Sequence, residues 1–260
     1  MPHHRLPAIA ARGALVLLIL AGAAADALAQ KVITQASALN GNVTPGDLPG
    51  FPVTISQPGT FVLGSDLVLA DANTMGIEIF GRNVTLDLGG FSIKGPGGVG
   101  TGTGIRSTFA AADVAGATVI RNGTVSGVGS NGIDLDGTGS RIDRITVANT
   151  GGDGIVVGPA SIVTNSRAAN NNGTGILAWE GSLVENNVAA SNLRGIVVDT
   201  GSTVLSNTAV DNRFEGFMVH ASGWGKNVAS NNNGGNGNPQ FVGAGIALSG
   251  ANLCGGVICP

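Results

Sequence analysis

Six side chains in the second half of the chain combine acid–base groups with an aromatic ring at regular spacing. They are Asp153, Trp179, Arg194, Asp199, Glu215 and His220. Carboxylates and His can act as general acids and bases, Arg can act as a base or hold an anion, and an indole ring stacks on flat surfaces. If the fold brings them together, Trp179 could contact a polysaccharide while the other five are candidates for catalysis.

The alternative is that these positions are polar only because they face water. Arg194 and Glu215 would then form an ordinary surface ion pair worth under about 1 kcal/mol. The residue types alone allow both interpretations, so the arrangement of the repeats has to be considered.

The spacing follows from an internal repeat of about 20 residues. Its copies end in Gly154-Ile155, Gly175-Ile176, Gly195-Ile196 and Gly216-Phe217, and the last three are preceded by SIVTNSRAANN, SLVENNVAASN and STVLSNTAVDN. Such a short repeat cannot bury an apolar face alone, so the pattern predicts a solenoid of stacked coils. The next dipeptide, Gly245-Ile246, comes later, which predicts a last coil with an insertion.

Strand periodicity divides each repeat into inward and outward positions. If the apolar residue after each Gly points inward, the residue two further on does so too, and the residue between them faces out. The six candidates would then lie along one outward strip. The residues between the inward pairs include Val156, Leu177, Val197 and Met218. Four apolar residues facing water favour a protein contact or a covering segment, and we expect the tail from Phe241 to Pro260 to cover them.

Asn residues recur at the turn of each repeat. They are Asn149, Asn170, Asn192, Asn212 and Asn231. Asn tolerates the left-handed backbone of a sharp corner, and stacked Asn side chains can hydrogen-bond from coil to coil. We therefore expect this column to be a structural ladder, with ligand binding as the weaker alternative.

Residues 1–29 resemble a secretory signal peptide. Arg5 and Arg12 precede an apolar run, and Ala27-Leu28-Ala29 supplies a cleavage site. The run is shorter than the roughly 18 residues that cross a bilayer, and no later stretch is longer, so we expect no membrane span. This predicts a secreted or periplasmic protein.

The rest of the chain divides into three segments. Residues 30–52 contain several Pro and predict an irregular leader that caps the first coil, with a helical turn near Thr34 to Leu39. Residues 53–248 alternate as strands and form the solenoid. Residues 249–260 form a tail in which Cys254 and Cys259 are expected to pair, because an exported chain with two Cys favours a disulfide.

Composition and charge exclude several partners. The formal net charge is −3, with 44 Gly and 11% charged residues, so the chain lacks the basic patches that bind nucleic acid. His220 is the only His after residue 29, which argues against a transition-metal site, because such a site needs several His, Met or Cys together. An isolated Ca²⁺ site at Asp134, Asp136 or Asp153 stays open.

Coils of this length with Asn corners resemble the right-handed parallel β-helix proteins of the pectin lyase-like superfamily. The resemblance covers Val53 to Leu248, and TISQPGTFVLGSDLVLA followed by NVTLDLGGFSIKG looks like the first coils of its exported bacterial members. It implies an all-β, single-stranded right-handed parallel β-helix of roughly eight coils of about 21 residues.

The superfamily includes lyases, hydrolases and epimerases, so the resemblance does not by itself give an activity. The chain lacks the adjacent Asp pair, Gly-His-Gly and Arg-x-Lys of polygalacturonases and the Asp-Pro-His-Glu of alginate epimerases. This favours a non-catalytic structural or glycan-binding module at the cell envelope, with no assured cofactor. The alternative is a polysaccharide lyase or glycoside hydrolase acting on an acidic polysaccharide such as a polyuronate.

Overall fold

The computed structural model describes residues 30–108, 117–233, 240–243, 246–247 and 250–259, so the predicted signal peptide lies outside it. The N-terminal elements are β1 (Lys31–Ile33), α1 (Gln35–Asn40), β2 (Val53–Ile55), β3 (Gly59–Leu63), β4 (Leu67–Val68), β5 (Ile77–Ile79), β6 (Val84–Asp87), β7 (Ser92–Lys94), β8 (Ile105–Ser107) and β9 (Thr118–Ser126). The central elements are β10 (Ile133–Leu135), β11 (Arg141–Ala148), β12 (Ile155–Val157), β13 (Ile162–Thr164), β14 (Arg167–Ala169), β15 (Thr174–Ala178), β16 (Leu183–Glu185), β17 (Val188–Ala190) and β18 (Arg194–Val198). The C-terminal elements are β19 (Thr203–Leu205), β20 (Thr208–Val210), β21 (Phe217–Val219), β22 (Gly223–Gly225), β23 (Val228–Ser230), β24 (Phe241–Gly243), β25 (Ile246–Ala247), β26 (Leu253–Cys254) and β27 (Val257–Ile258).

These strands form a right-handed parallel β-helix of about eight turns, as the sequence predicts. One sheet, called the front sheet here, has the strand order β2-β5-β8-β10-β12-β15-β18-β21-β24. The back sheet has 18 strands arranged in two neighbouring columns. We number the coils 1 to 9 by their front strands, so that β15, β18 and β21 belong to coils 6, 7 and 8.

The front strands stack with the repeats in register. Ile155 pairs with Ile176, Ile176 with Ile196, and Ile196 with Phe217. The two inward residues of each strand are buried, which confirms the predicted inward positions. From coil 4 to coil 8 they are Ile133, Leu135, Ile155, Val157, Ile176, Ala178, Ile196, Val198, Phe217 and Val219. Each large aliphatic side chain buried in this way stabilises the fold by about 1.5–3 kcal/mol.

Two ladders of buried Asn side chains run along the corners of the solenoid. The first contains Asn171, Asn192, Asn212 and Asn232, and the second contains Asn187, Asn207, Asn227 and Asn252. In both, the side-chain oxygen of one Asn accepts hydrogen bonds from the backbone N–H and the side-chain amide of the Asn in the preceding coil. The coils from Asn171 to Asn252 are thereby linked by polar groups that have almost no access to water.

The predicted Asn column combines two neighbouring positions and is wrong in that respect. Asn192 and Asn212 belong to the first ladder. Asn149, Asn170 and Asn231 lie one position earlier and have left-handed backbone, with φ of 57°, 55° and 53°. Each corner therefore uses two adjacent residues. The first has the left-handed backbone that turns the chain, and the second carries the side chain that hydrogen-bonds along the solenoid axis.

The leader covers the N-terminal end of the solenoid. β1 pairs with β3, and α1 follows directly where a helical turn was expected. Thr34 caps α1, because its side chain accepts a hydrogen bond from the backbone N–H of Ser37. Ile33 and Ala38 are buried against the first coils, so the leader adds to the core while it shields the strand edge.

The described C-terminal residues, 240–243, 246–247 and 250–259, extend the solenoid and do not cover the apolar residues of the front sheet. β24 pairs with β21, β25 with β22, and β26 with β23, which makes a ninth coil. The expectation that the tail from Phe241 lies across the front sheet is therefore wrong. The front position of this coil is taken by Phe241, whereas Ile246 pairs with Gly223 in the back sheet. The described chain ends in the antiparallel pair β26–β27, joined by the predicted disulfide between Cys254 and Cys259.

A carboxylate on the back sheet is held in its charged form. Burial raises the pKa of Asp87, but hydrogen bonds from the Gly89 N–H and the Asn122 amide and the charge of Arg121 outweigh that effect, and the pKa lies below its usual value. The Arg121 Nε lies 2.9 Å from the Asp87 Oδ2. Asp87 thus links coil 2 to coil 3 in a manner that requires its charge.

Candidate functional site

The six predicted site residues lie on two opposite edges of the front sheet. Arg194 and Asp199 belong to the same coil but are five residues apart, which corresponds to about 16 Å along an extended strand. One edge carries Asp153, Arg194 and Glu215, and the other carries Trp179, Asp199 and His220. The structure therefore brings them together as two groups of three, with an apolar surface between them.

Trp179 lies between two shallow grooves. Its side chain is 49% exposed at the end of β15. On one side is a groove of about 260 Å³ whose lining includes Asp136, Val156 and Glu180. On the other side is a groove of about 210 Å³ whose lining includes Leu177, Val197, Asp199 and His220. The indole ring therefore forms a raised wall that both grooves share.

The column that contains Trp179 explains this shape. The preceding residue, Ala178, points into the core, so Trp179 must point outward. Gly158 occupies the same position one coil earlier, and its lack of a side chain opens the larger groove. A Cβ atom at Gly158 would lie 2.7 Å from the carbonyl oxygen of Asp136, so the backbone packing leaves no room for one.

Asp199 and His220 follow Trp179 along the column, one and two coils later. The His220 Nδ1 lies 3.8 Å from the Asp199 Oδ1, and both side chains are about half exposed. Asp199 Oδ1 also accepts a hydrogen bond from the Thr200 N–H at 2.7 Å. This pair gives the smaller groove one hydrogen-bond acceptor and one group that can donate or accept.

Asp136 lines the larger groove and has an altered acidity. Desolvation raises the pKa of its carboxyl group, the charge of Asp134 raises it further, and the charge of Arg106 opposes the rise. The carboxyl group keeps its proton to a higher pH than an ordinary Asp, and can then donate a hydrogen bond as well as accept one.

The opposite edge is organised around an ion pair. The Arg194 Nε lies 3.2 Å from the Glu215 Oε2, with side chains 40% and 22% exposed. The Arg194 guanidinium also lies 5.7 Å from the centre of the Phe214 ring. These contacts hold Arg194 across the edge of coils 7 and 8 and match the surface ion pair that the sequence allows.

Asp153 has a structural role in its coil. Its Oδ1 accepts a hydrogen bond from the Thr174 N–H at 2.5 Å, and its own N–H donates to the Asn131 Oδ1 at 2.9 Å. The carboxylate thus links coil 5 to coil 6. It is the predicted site residue whose contacts are mostly with the backbone.

Sequence reasoning missed two contributors to the site. Glu180 lines the larger groove directly after Trp179, and Phe214 packs under Arg194 on the opposite edge. Neither lies in a column that the repeat marks, although each adjoins a candidate that does. Within the described residues, no group of three or more His, Cys, Asp or Glu is placed to hold a metal ion. No helix in that part of the chain is long and apolar enough to cross a membrane.

Comparisons with known proteins give one family match. Comparison with curated protein sequences finds no match. Among solved structures, a double mutant of the periplasmic alginate epimerase AlgG is similar, with 15% sequence identity and a TM-score of 0.42 over 84% of this chain. The match spans 60% of the epimerase chain. The family model for the right handed beta helix region matches residues 104–253, which is more than half of the sequence, and the chain therefore belongs to the right-handed β-helix family.

Proposed function

We propose that the protein is a non-catalytic glycan-binding module of the cell envelope, with Trp179 as the surface on which a sugar ring stacks. The observation that carries the proposal is the half-exposed indole between two grooves. Sugar rings have an apolar face of C–H groups and an edge of hydroxyl groups. An aromatic ring contacts the face, while nearby polar groups bind the hydroxyls.

The polar groups around Trp179 suit this recognition. Asp136 and Glu180 lie on one side of the ring, and Asp199 and His220 lie on the other. Asp136 and Asp199 lie three coils apart, about 14 Å along the axis. Glycoside hydrolases place their two carboxyl groups about 5–9.5 Å apart, so this pair is too widely spaced to act on one glycosidic bond.

The envelope location is part of the proposal and has two supports. The predicted signal peptide directs export, and the disulfide between Cys254 and Cys259 is a bond that persists in oxidising compartments. A secreted or periplasmic module would meet polysaccharides of the envelope or its surroundings.

The test uses tryptophan fluorescence and affinity electrophoresis, with and without Ca²⁺, against polyuronates and neutral glycans. Trp224 is buried and stacked on Phe241, so Trp224→Phe leaves Trp179 as the single reporter. We expect one glycan to quench or shift that emission and to retard the protein in the gel. Trp179→Ala should lower the affinity by about two- to twelvefold, since aromatic stacking contributes about 0.5–1.5 kcal/mol.

Phe80 supplies a matched control. It occupies the same column as Trp179, is 47% exposed, and lies four coils away, about 19 Å along the axis. Phe80→Ala should leave binding unchanged. Equal retention of the Trp179→Ala and wild-type proteins would refute the proposed site, and loss in both alanine variants would point to a less local effect.

A polysaccharide lyase or hydrolase is the second candidate, and the contact between Asp199 and His220 favours it, because a carboxylate can orient an imidazole for proton transfer. The measurement is product formation from polyuronates, followed by ultraviolet absorbance for unsaturated ends and by a reducing-end assay. Turnover that Asp199→Asn and His220→Gln both remove would establish catalysis at this edge. Glycan binding without product formation would support the non-catalytic binding module.

A further inference from the structure

We propose that the ligand of the Trp179 site is a polysaccharide with unacetylated amino sugars, whose protonated amines pair with the carboxylates beside the indole ring. The inference rests on the proposed function, because it names the class of glycan that the same site binds. It is carried by the sign of the charges around Trp179 and by carboxylates that have no partner among the described residues.

The edge of the front sheet that carries Trp179 is acidic from coil 4 to coil 8. Its charged side chains are Asp136, Glu180 and Asp199, and His220 is the one further titratable group. The turn segments that form this edge contain no Lys and no Arg; they are residues 136–140, 158–161, 179–182, 199–202 and 220–222. A groove lined by charges of one sign concentrates ligands of the opposite sign.

Two of these carboxylates have no partner in the described part of the chain. Asp136 and Glu180 line the larger groove, and neither side chain accepts a hydrogen bond from a described residue or forms an ion pair with one. Desolvation and then the charge of Asp134 raise the pKa of Asp136, and the charge of Arg106 only opposes that rise. The groove therefore offers negative charge that a bound cation would stabilise.

The two Arg residues in the front strands are matched by carboxylates elsewhere. Arg106 in coil 3 stacks in register between Glu78 and Asp134. The Arg194 Nε lies 3.2 Å from the Glu215 Oε2 on the opposite edge. Each Arg has acidic neighbours of its own, so the surplus of negative charge stays at the edge that carries the indole ring.

An amino sugar matches both the indole ring and the carboxylates. The apolar face of the sugar stacks on Trp179, and an ammonium group within about 6 Å of the ring centre is attracted to the π face. Asp199 lies one coil after Trp179 and Asp136 two coils before it, about 4.8 and 10 Å along the axis. Ammonium groups on neighbouring sugar units can therefore donate charge-assisted hydrogen bonds to carboxylates on either side of the ring.

Other ligands match this surface less well. A polyuronate would bring its carboxylates against Asp136, Glu180 and Asp199, and like charges repel. A metal ion needs several ligands at one point, and no group of three or more His, Cys, Asp or Glu in the described residues is placed to supply them. Carboxylates spread along an edge suit instead a ligand that carries several positive charges along its length.

Two oligosaccharides of equal length that differ only at nitrogen test the inference. Glucosamine oligomers carry protonated amines at slightly acidic pH, and N-acetylglucosamine oligomers carry neutral amides on the same rings. Titrations follow the fluorescence of Trp179 in the Trp224→Phe background. At low salt we expect the glucosamine oligomer to bind about tenfold more tightly, because it adds ion pairs and a cation–π contact. The preference should fall to about threefold or less at about 1 M salt, where the screening length is about 3 Å.

Isosteric variants identify the carboxylates that give the preference. Glu180→Gln and Asp136→Asn should each lower the affinity for the glucosamine oligomer by about threefold and leave that for the N-acetylated oligomer within about twofold. Glu185→Gln is the matched control, since it removes the same charge from an outward residue of the back sheet and should change neither affinity. Trp179→Ala should weaken the binding of both oligomers, because both stack on the ring.

The outcomes separate the inference from the proposed function. Equal affinities for the two oligomers, no binding of either, or tighter binding of a polyuronate would overturn the amino-sugar ligand. If Trp179→Ala still weakened the glycan that does bind, the glycan-binding module would stand without it. A glucosamine oligomer that binds wild type and Trp179→Ala alike would refute the proposed glycan site and the inference together. Polylysine that binds as tightly as a glucosamine oligomer of equal charge would also overturn the inference, because it would assign the acidic edge to a cationic peptide.

Discussion

Removing one Asn from the second ladder should destabilise the whole solenoid. The side-chain oxygen of Asn207 accepts hydrogen bonds from the N–H and the side-chain amide of Asn187, at 2.9 and 3.1 Å. Its own amide donates to the carbonyl oxygen of Val184 at 2.8 Å and to the side-chain oxygen of Asn227 at 3.1 Å. Asn207→Ala removes all four bonds from a residue that is 1% exposed.

The expected loss follows from which groups are left without partners. The backbone N–H of Asn187 has no other acceptor in its ladder position, and an unpaired buried N–H costs about 1–3 kcal/mol. The side-chain amide of Asn187 keeps its bond to the carbonyl oxygen of Val163, so that group is not orphaned. The lost bonds to Val184 and Asn227 add about 1 kcal/mol each. We expect Asn207→Ala to lower the free energy of unfolding by about 3–5 kcal/mol.

The assay is urea unfolding at equilibrium, followed by Trp fluorescence and circular dichroism, with refolding as the check of reversibility. Asn172→Ala is the matched control, because Asn172 is an exposed corner Asn whose side chain makes no hydrogen bond within the described residues. It should change stability by no more than about 0.5 kcal/mol. The double variant Asn187→Ala/Asn207→Ala should cost less than the sum of the single variants, since the two share bonds. If Asn207→Ala matched Asn172→Ala, the ladder would not stabilise the fold as argued.

Three further outcomes follow from single contacts. Gly158→Ala should destabilise the fold by about 1–3 kcal/mol in the same urea assay, because its Cβ would press on the carbonyl oxygen of Asp136; wild-type stability would show that the backbone can shift. The lowered pKa of Asp87 contributes stability that is fully present above the unfolded value of about 3.9 and is lost as the pH falls through the folded value. Urea midpoints between pH 5 and 2 should therefore fall less steeply for Asp87→Asn than for wild type, and parallel curves would contradict this. Reduction of the disulfide between Cys254 and Cys259 should speed amide hydrogen exchange in β26 and β27 only, because the bond closes a loop at the end of the solenoid; faster exchange in coil 6 would contradict a local role.

The sequence predicts most of the fold because the repeat shows which residues are equivalent in successive coils. Gly-Ile dipeptides identify Ile155, Ile176 and Ile196 as equivalent, and strand periodicity then places the neighbouring residues inward or outward. The structure confirms those assignments. The disulfide between Cys254 and Cys259 could be predicted because the chain offers no other pairing.

The corners and the last coil could not be predicted in the same way. Asn170 and Asn171 are adjacent and identical in type, so the sequence alone does not show which one turns the backbone and which one is buried. The dipeptide Gly245-Ile246 predicts that Ile246 fills the front position of the last coil. An aromatic residue can fill the same position as an aliphatic one. Phe241 takes that place, where it also stacks on Trp224 with a centroid distance of 3.8 Å.

The two edges of the front sheet show why a candidate site is harder to predict than a register. Arg194 and Asp199 are an odd number of residues apart, so strict alternation would place them on opposite faces, yet both side chains are about 40% exposed. Alternation also does not show that about 16 Å of strand separates them. That distance divides six candidate residues into two groups and excludes a single catalytic cluster that contains all of them.

The candidate site lies where the repeat is broken. A position that only needs to face water tolerates any polar residue, and the column through Asp199 and His220 fits that description. Trp179 is not a residue of that kind. About half of its large apolar ring remains in water, so the fold does not gain the free energy of burying it. Gly158 departs in the other direction and leaves an opening beside the ring. Backbone packing accounts for Gly158, because a Cβ there would press on the carbonyl oxygen of Asp136. The exposed ring of Trp179 is therefore more informative than either the groove or the charges around it, because stability does not explain it.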